Sequence, residues 1–357
     1  MTKVHNYSAG PCILPQEVLK QASEAVINFN NLNLSLLEIS HRSKDFVEVM
    51  ENARSLVKEL LGVPEGYQVL FLQGGASLGF LKAAYNFLPK GGKAAYINTG
   101  TWSKKAIKEA KLIGEVDVVA SSEDKNFNYI PNGYQIPNDA AYLHLTSNNT
   151  IFGTQFKKFP NSRAPMLCDM SSDIFSKEIN VADFDLIYAG AQKNMGPAGT
   201  TVYIVKESVL GKTGNAIPSM LDLQVHISKD SMFNTPPVFP IYVSMLNMQW
   251  LKKNGGVKWI QKINEQKAEL LYNEIDRNSL FKGLTQKADR SVMNATFGLN
   301  DETLKADFDE MWKSANISGI NGHRSVGGYR ASMYNALPLE SVQVLVDVMK
   351  ELENKKG

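Results

Sequence analysis

Between positions 68 and 205 the chain alternates short unbroken apolar runs with segments in which apolar residues return every three or four positions. The runs predict strands and the periodic segments helices, the order expected of an α/β fold with a mostly parallel sheet. Seven strands are predicted, at 68–73, 93–98, 116–120, 141–146, 166–170, 186–189 and 201–205. Being apolar on both faces, they suit strands covered by helices on both sides. Helices are expected at 76–88, where Leu78, Leu81, Tyr85 and Leu88 share a face, and at 102–113. After Pro240 the pattern changes to two helices, 241–253 and 257–277, separated by the breaker Asn254-Gly255-Gly256. A strand at 291–298, a helix at 302–314, a strand at 329–334 and a helix at 339–352 complete a smaller α+β unit.

A length of 357 residues accommodates two domains. The expected division is a large domain over 16–255 and a small one over 256–357 joined by the N-terminal segment 1–15. With 38 basic against 36 acidic residues the charge is +2, too small for the field of a nucleic-acid or membrane-surface binder. The first fifteen residues hold no apolar run long enough for a signal peptide, and no stretch approaches a bilayer span, so a soluble cytoplasmic protein is expected. Two cysteines, Cys12 and Cys168, supply neither a disulfide framework nor a multi-thiolate metal site, so no metal is expected.

Ligands of open α/β sheets sit at the carboxyl ends of the strands, and here those ends are rich in chemistry. Gly74-Gly75-Ala76-Ser77 opens a helix with small residues whose free N–H groups suit a phosphate. It has neither the lysine of a P-loop nor the spacing of a dinucleotide fingerprint, and alone it reads as a tight turn. Asp169 closes a buried strand, where an acid needs a partner. Lys193 follows another strand within Gly190-Ala191-Gln192-Lys193-Asn194, a turn that a ligand can approach closely. A phosphate cradle, a carboxylate and an amine at neighbouring strand ends match the needs of pyridoxal 5'-phosphate: an anchor, a partner for the pyridinium nitrogen and a Schiff-base lysine. Trp102 adds an aromatic face able to stack on the ring.

With these residues in place, the sequence resembles the phosphoserine aminotransferases, within the class V, aspartate-aminotransferase-like group of pyridoxal-phosphate enzymes. The resemblance rests on Ser8-Ala9-Gly10-Pro11, Glu38-Ile39-Ser40-His41-Arg42-Ser43, Gln73-Gly74-Gly75-Ala76-Ser77, Thr101-Trp102-Ser103, Asp169-Met170-Ser171-Ser172, Gly190-Ala191-Gln192-Lys193-Asn194, Phe233-Asn234-Thr235-Pro236-Pro237 and the run from Gly322 to Arg330, in family order across nearly the whole chain. It implies a fold type I architecture and a homodimer with active sites at the subunit interface. Lys193 becomes the Schiff-base lysine, Asp169 the partner of the pyridinium nitrogen, Trp102 the stacking aromatic and Thr150 the contact on the phenolic-oxygen side. Ser171, Gln192 and the backbone of Ala76 and Ser77 would hold the phosphate, with Asn234 and Thr235 supplied by the other subunit. One departure is Asn149, where family members often carry glutamate.

The 38 basic residues include only seven arginines, and three of these lie in two short segments, twice as a His-Arg dipeptide. Arginine presents a planar fork that grips carboxylate or phosphate through two parallel hydrogen bonds. His41, Arg42, His323, Arg324 and Arg330 exceed what one carboxylate requires, so a substrate bearing a carboxylate and a second anion is expected. By the resemblance, Arg330 takes the α-carboxylate, and the two His-Arg pairs surround a phosphate, the first pair coming from the neighbouring subunit. The implied reaction is a ping-pong transamination between phosphoserine with 2-oxoglutarate and 3-phosphohydroxypyruvate with glutamate, serving serine biosynthesis. Some relatives also act on 4-phosphohydroxythreonine in pyridoxine biosynthesis. A desulfurase of the same fold would need a thiol on a mobile loop, and no cysteine follows Cys168. A transaminase for unphosphorylated substrates would leave the His-Arg pairs without a task, and a non-catalytic binding protein would have no need of Lys193.

Overall fold

A computed structural model describes residues 3–356, so Met1, Thr2 and Gly357, the outer ends of the expected small domain, lie outside the described residues. Seven strands form the central sheet: β1 (Tyr67–Leu72), β2 (Lys93–Asn98), β3 (Glu115–Ser121), β4 (Leu143–Thr146), β5 (Met166–Asp169), β6 (Leu186–Gly190) and β7 (Thr201–Lys206). Their spatial order is β1-β7-β6-β5-β4-β2-β3. All neighbouring pairs run parallel except those of β7, which lies antiparallel to both β1 and β6. The mostly parallel α/β sheet expected from the sequence is therefore present, with strand limits shifted by one or two residues.

The pleat explains why both faces read as apolar. Along β1, Val69 and Phe71 join a core layer on one side, while Leu70 and Leu72 join a second layer on the other. The first layer packs under α1 (Gln16–Ile27), α2 (Lys44–Leu61) and α6 (Val238–Lys253). The second packs under α3 (Gly75–Phe87), α4 (Thr101–Ala110) and the short α5 (Leu223–Ile227). Helix α6 begins at Val238, three residues before the expected start. Pro240 falls in its first turn, where the missing N–H would have had no intrahelical acceptor. Helix α4 stops at Ala110 because the chain turns through Gly114 into β3.

A separate hydrophobic cluster forms around the C-terminal elements: β8 (Phe281–Gly283), β9 (Asn294–Leu299) and β10 (Tyr329–Ser332) in an antiparallel sheet, with α8 (Lys305–Ser314) and α9 (Leu339–Lys356). Tyr7 of the N-terminal segment is buried in this cluster, and Ile13 packs against it. Helix α7 (Gly256–Arg277) belongs to both: Val257 and Ile260 enter the large core, whereas Ala268, Leu271 and Ile275 enter the C-terminal one.

At the middle of α7, Lys267 is wholly buried and donates to the carbonyls of Met333 (3.0 Å), Tyr334 (2.9 Å) and Leu337 (3.1 Å). Loss of solvation draws its pKa down to about 7. Lys267→Met keeps the length of the side chain but strands the carbonyls of Met333 and Leu337, while that of Tyr334 keeps the Leu337 N–H, so at about 1 kcal/mol each urea denaturation should show a loss of about 2 kcal/mol. An unchanged midpoint would mean that these carbonyls find other donors.

Candidate active site

The parallel strands deliver their carboxyl ends to one edge of the sheet, and a cavity of about 330 Å³ opens there. Its lining includes Ala76, Ser77, Trp102, Thr150, Asp169, Ser171, Gln192, Lys193, His323 and Arg330. Ten of the expected site residues, drawn from opposite ends of the sequence, thus meet around one space. A larger open groove of about 670 Å³ between segments 130–138 and 156–164 contains none of them.

Each wall has a local cause. After β1 the chain turns through Gly74 at φ +102°, where a Cβ would lie 2.5 Å from Leu78, so the turn requires glycine. The first intrahelical bond runs from Leu78 N–H to the Gly74 carbonyl, leaving the N–H groups of Gly75, Ala76 and Ser77 free at the positive end of α3. After β2, the Ser103 hydroxyl accepts from the N–H groups of Thr99 and Gly100, both at 2.9 Å, and so fixes the turn that presents Trp102. The Trp102 indole N–H is buried without a partner.

Asp169 ends β5. Its Oδ1 accepts from the Ser171 N–H at 2.9 Å and the Ser171 hydroxyl at 2.6 Å, while its Oδ2 accepts nothing from the described residues. Burial raises its pKa, against the hydrogen bonds from Ser171 and the charge of Lys193. The proton of the Ser171 hydroxyl is thus directed to Asp169, and its oxygen accepts from Gly190 N–H at 3.1 Å. In this arrangement Ser171 orients the acid, a use that the sequence did not suggest.

Lys193 follows β6, 9% exposed, with its amine donating to the Thr150 hydroxyl at 2.9 Å. Desolvation lowers its pKa to about 8, with the Asp169 carboxylate opposing and Arg330 assisting. The loop that carries it is anchored by neighbours that sequence reading passed over. The Cys12 thiol donates to the Lys193 carbonyl at 2.8 Å, and Asn247 donates to the carbonyls of Asn194 and Met195. The Asn335 N–H donates to Asn194 Oδ1 at 3.0 Å. Gly10 passes so near that a Cβ would lie 3.3 Å from the Lys193 Cγ, at a φ of +134°. The N-terminal motif was legible as a motif, but not its position beneath the lysine.

Thr146, at the end of β4, also lines the cavity with a buried hydroxyl that has no partner, a position that its place at a strand end could have flagged. Asn149 is not part of an ion pair. Its Oδ1 accepts from the Thr99 hydroxyl at 3.1 Å, and its amide donates to Thr154 at 3.0 Å. Arg330, on β10, donates to the Thr150 carbonyl at 3.3 Å, and its Nε is buried without a partner. Burial lowers its pKa. The pKa of His323 is lowered by burial and by the charges of Arg330, Arg324 and Lys105.

Five expected residues do not line this cavity: His41, Arg42, Asn234, Thr235 and Arg324. Arg42, Arg324 and Thr235 are exposed, and His41 Nε2 and Asn234 Oδ1 are buried without partners. Gln73, beside the Gly74 turn, donates to the Thr235 carbonyl at 2.8 Å.

A buried amine near neutrality, facing a carboxylate with one free oxygen and flanked by a guanidinium whose Nε has no partner among the described residues, is equipped to exchange protons at a carbon next to a carboxylate. The chain belongs to the class-V aminotransferase family, whose model matches residues 4–345. It is similar to the phosphoserine aminotransferase of Flavobacterium psychrophilum, 67% identical over 99% of both chains, and to that of Porphyromonas gingivalis, 56% identical over 99% of both. Among solved structures, the phosphoserine aminotransferase from Bacillus circulans subsp. alkalophilus superposes with a TM-score of 0.96 at 43% identity, covering 99% of each chain. The PLP-bound phosphoserine aminotransferase from Trichomonas vaginalis superposes with a TM-score of 0.92 at 35% identity, covering 98% of this chain and 100% of that one.

Proposed function

We propose that this chain is a pyridoxal-phosphate-dependent phosphoserine aminotransferase, exchanging an amino group between phosphoserine with 2-oxoglutarate and 3-phosphohydroxypyruvate with glutamate. The observation that carries the reading is the buried Lys193 amine beside Asp169 and Trp102, in a cavity rimmed by Arg330 and His323. The residues fit the cofactor: free N–H groups at a helix start for a phosphate, an open carboxylate oxygen, and the partnerless Trp102 indole and Arg330 Nε at the cavity wall. When bound, the cofactor supplies an aldehyde and an electron-withdrawing ring that accepts the electrons released at the substrate's α-carbon.

The N–H groups of Ala76 and Ser77, with the Gln192 amide, would donate to the phosphate, whereas Ser171, whose proton is given to Asp169, would act by orienting that acid. Asp169 would keep a proton on the ring nitrogen through its open Oδ2, and Trp102 and Thr150 are the residues that would hold the ring. Lys193 in its neutral form takes the α-proton, and desolvation favours that form. Arg330 receives the α-carboxylate through its unpartnered edge.

The further reading is of a homodimer in which His41, Arg42, Asn234 and Thr235 serve the neighbouring subunit's cavity, while His323 and Arg324 belong to their own. Its support is that Arg42 and Thr235 are exposed and do not line the chain's own cavity, and are close in sequence to the exposed apolar side chains of Leu32, Leu34, Leu37 and Phe233. The reading includes a large cofactor-binding domain over 16–255 and a small domain over 256–357 with 1–15; the C-terminal hydrophobic cluster supports the division, with the first turns of α7, through Val257 and Ile260, still in the large core. A cytoplasmic location is part of the same proposal; among the described residues no helix is long and apolar enough to cross a membrane.

The test is a half-reaction, with phosphoserine or serine added to the cofactor-loaded protein while the cofactor's visible absorbance is followed. Phosphoserine is expected to react at least about 100-fold faster, since a charged group meeting a built anion site contributes about 3 kcal/mol. Equal rates would remove the phosphate from the proposal.

A further inference from the structure

Lys105 has no place in the site described so far. It lies one turn beyond Trp102 on α4, its amine 4.6 Å from the centre of the indole ring. The preceding Lys104 is paired with Glu123, whereas Lys105 has no carboxylate within ion-pair distance among the described residues. Arg324 and Arg330 likewise lack one. Lys105 rests against Trp102, which lines the cavity, and its charge, with those of Arg330 and Arg324, lowers the pKa of His323, another residue of the lining. Three cations left unneutralised around one opening concentrate positive potential there, and an arriving anion supplies what the protein withholds.

We infer that Lys105 is a specificity-determining residue, its ammonium reading the charge on the distal group of the substrate. The inference rests on the reading of the chain as a phosphoserine aminotransferase and adds a residue to that site. It concerns charge more than contact. A point cation at a fixed distance interacts twice as strongly with a doubly charged phosphate as with a singly charged carboxylate, and not with a methyl group. Lys105 therefore favours phosphoserine over glutamate, and glutamate over alanine, in proportion to distal charge.

The experiment compares wild type, Lys105→Met and Lys105→Arg in half-reactions with phosphoserine, glutamate and alanine, reading KM and the limiting rate separately. In Lys105→Met, KM is expected to rise about 9-fold for phosphoserine, about 3-fold for glutamate and not at all for alanine, with limiting rates little changed. Lys105→Arg should restore both values, since it keeps the charge and the stacking on Trp102. Added salt should shrink the wild-type preference toward that of Lys105→Met. A lysine that merely braced Trp102 would change all three substrates by one common factor and shift the Trp102 fluorescence. That result, or unchanged KM values, would overturn the inference while leaving the proposed function standing. A wild type that fails to prefer phosphoserine over alanine would overturn both.

Discussion

Lys193→Ala is expected to reduce transamination by at least about 10⁴-fold, because on the proposed assignment one substitution removes both the covalent attachment point and the base. The folded state should tolerate it. The substitution removes a buried amine whose solvation is poor, and the loop that carries it is held through its backbone by Cys12, Asn247 and Asn335. Circular dichroism should therefore match wild type while the visible absorbance of lysine-bound cofactor disappears. Retained turnover would refute the assignment. In the wild type, the depressed pKa sets a pH dependence of known sign. Capture of the cofactor aldehyde by the cofactor-free protein requires the amine to have lost its proton. Below a pKa of about 8 the rate should climb about tenfold per pH unit, and above it level off. A rise continuing to the ordinary lysine value would show that burial does not act on this amine.

Arg330→Ala is expected to lower kcat/KM for phosphoserine by about 10²–10⁴, the equivalent of two charge-assisted hydrogen bonds to a carboxylate. The Thr150 carbonyl engages Nη1 and orients the guanidinium, leaving its Nε edge without a protein partner. Arg330→Lys should recover only part of the loss, since an ammonium supplies the charge but not the paired geometry. Glutamate should suffer the same factor as phosphoserine, because both present an α-carboxylate. If phosphoserine alone is affected, Arg330 serves the distal anion instead. Steady-state kinetics with the two donors decides between them.

The central sheet was legible because its strands are apolar on both faces and short. Val69 and Phe71 need one helical layer, Leu70 and Leu72 another, and no other class of sheet makes that demand. The carboxyl-end rule then placed Asp169 and Lys193 on one edge. Helix α2, which no expectation covered, carries equally local signals, with Ser43 as its N-cap and Phe46, Val49, Met50, Ala53 and Val57 at helical spacing. Strand β8 has three residues and no pattern to find. Helix α6 starts three residues before the expected position because the restraint of Pro240 on φ suits a first turn. Around the site, residue types were readable but hydrogen-bond directions were not. Ser171 can hold a phosphate or an aspartate equally well, and only three-dimensional placement assigns its proton to Asp169. The Cys12 thiol beneath Lys193 depends on a contact across 181 positions, which no local pattern encodes.

Lys193 stands on the large sheet, Arg330 on the C-terminal one, and α7 is the continuous rod planted in both cores. On the proposed assignment, a substrate held by Arg330 and reaching Lys193 adds one more crossbeam to those already spanning the two masses, the Asn335–Asn194 and Arg330–Thr150 hydrogen bonds among them. Occupancy is then worth more than its local contacts: it ties the melting of one core to that of the other, and thermal unfolding becomes sharper as well as later when the substrate is present.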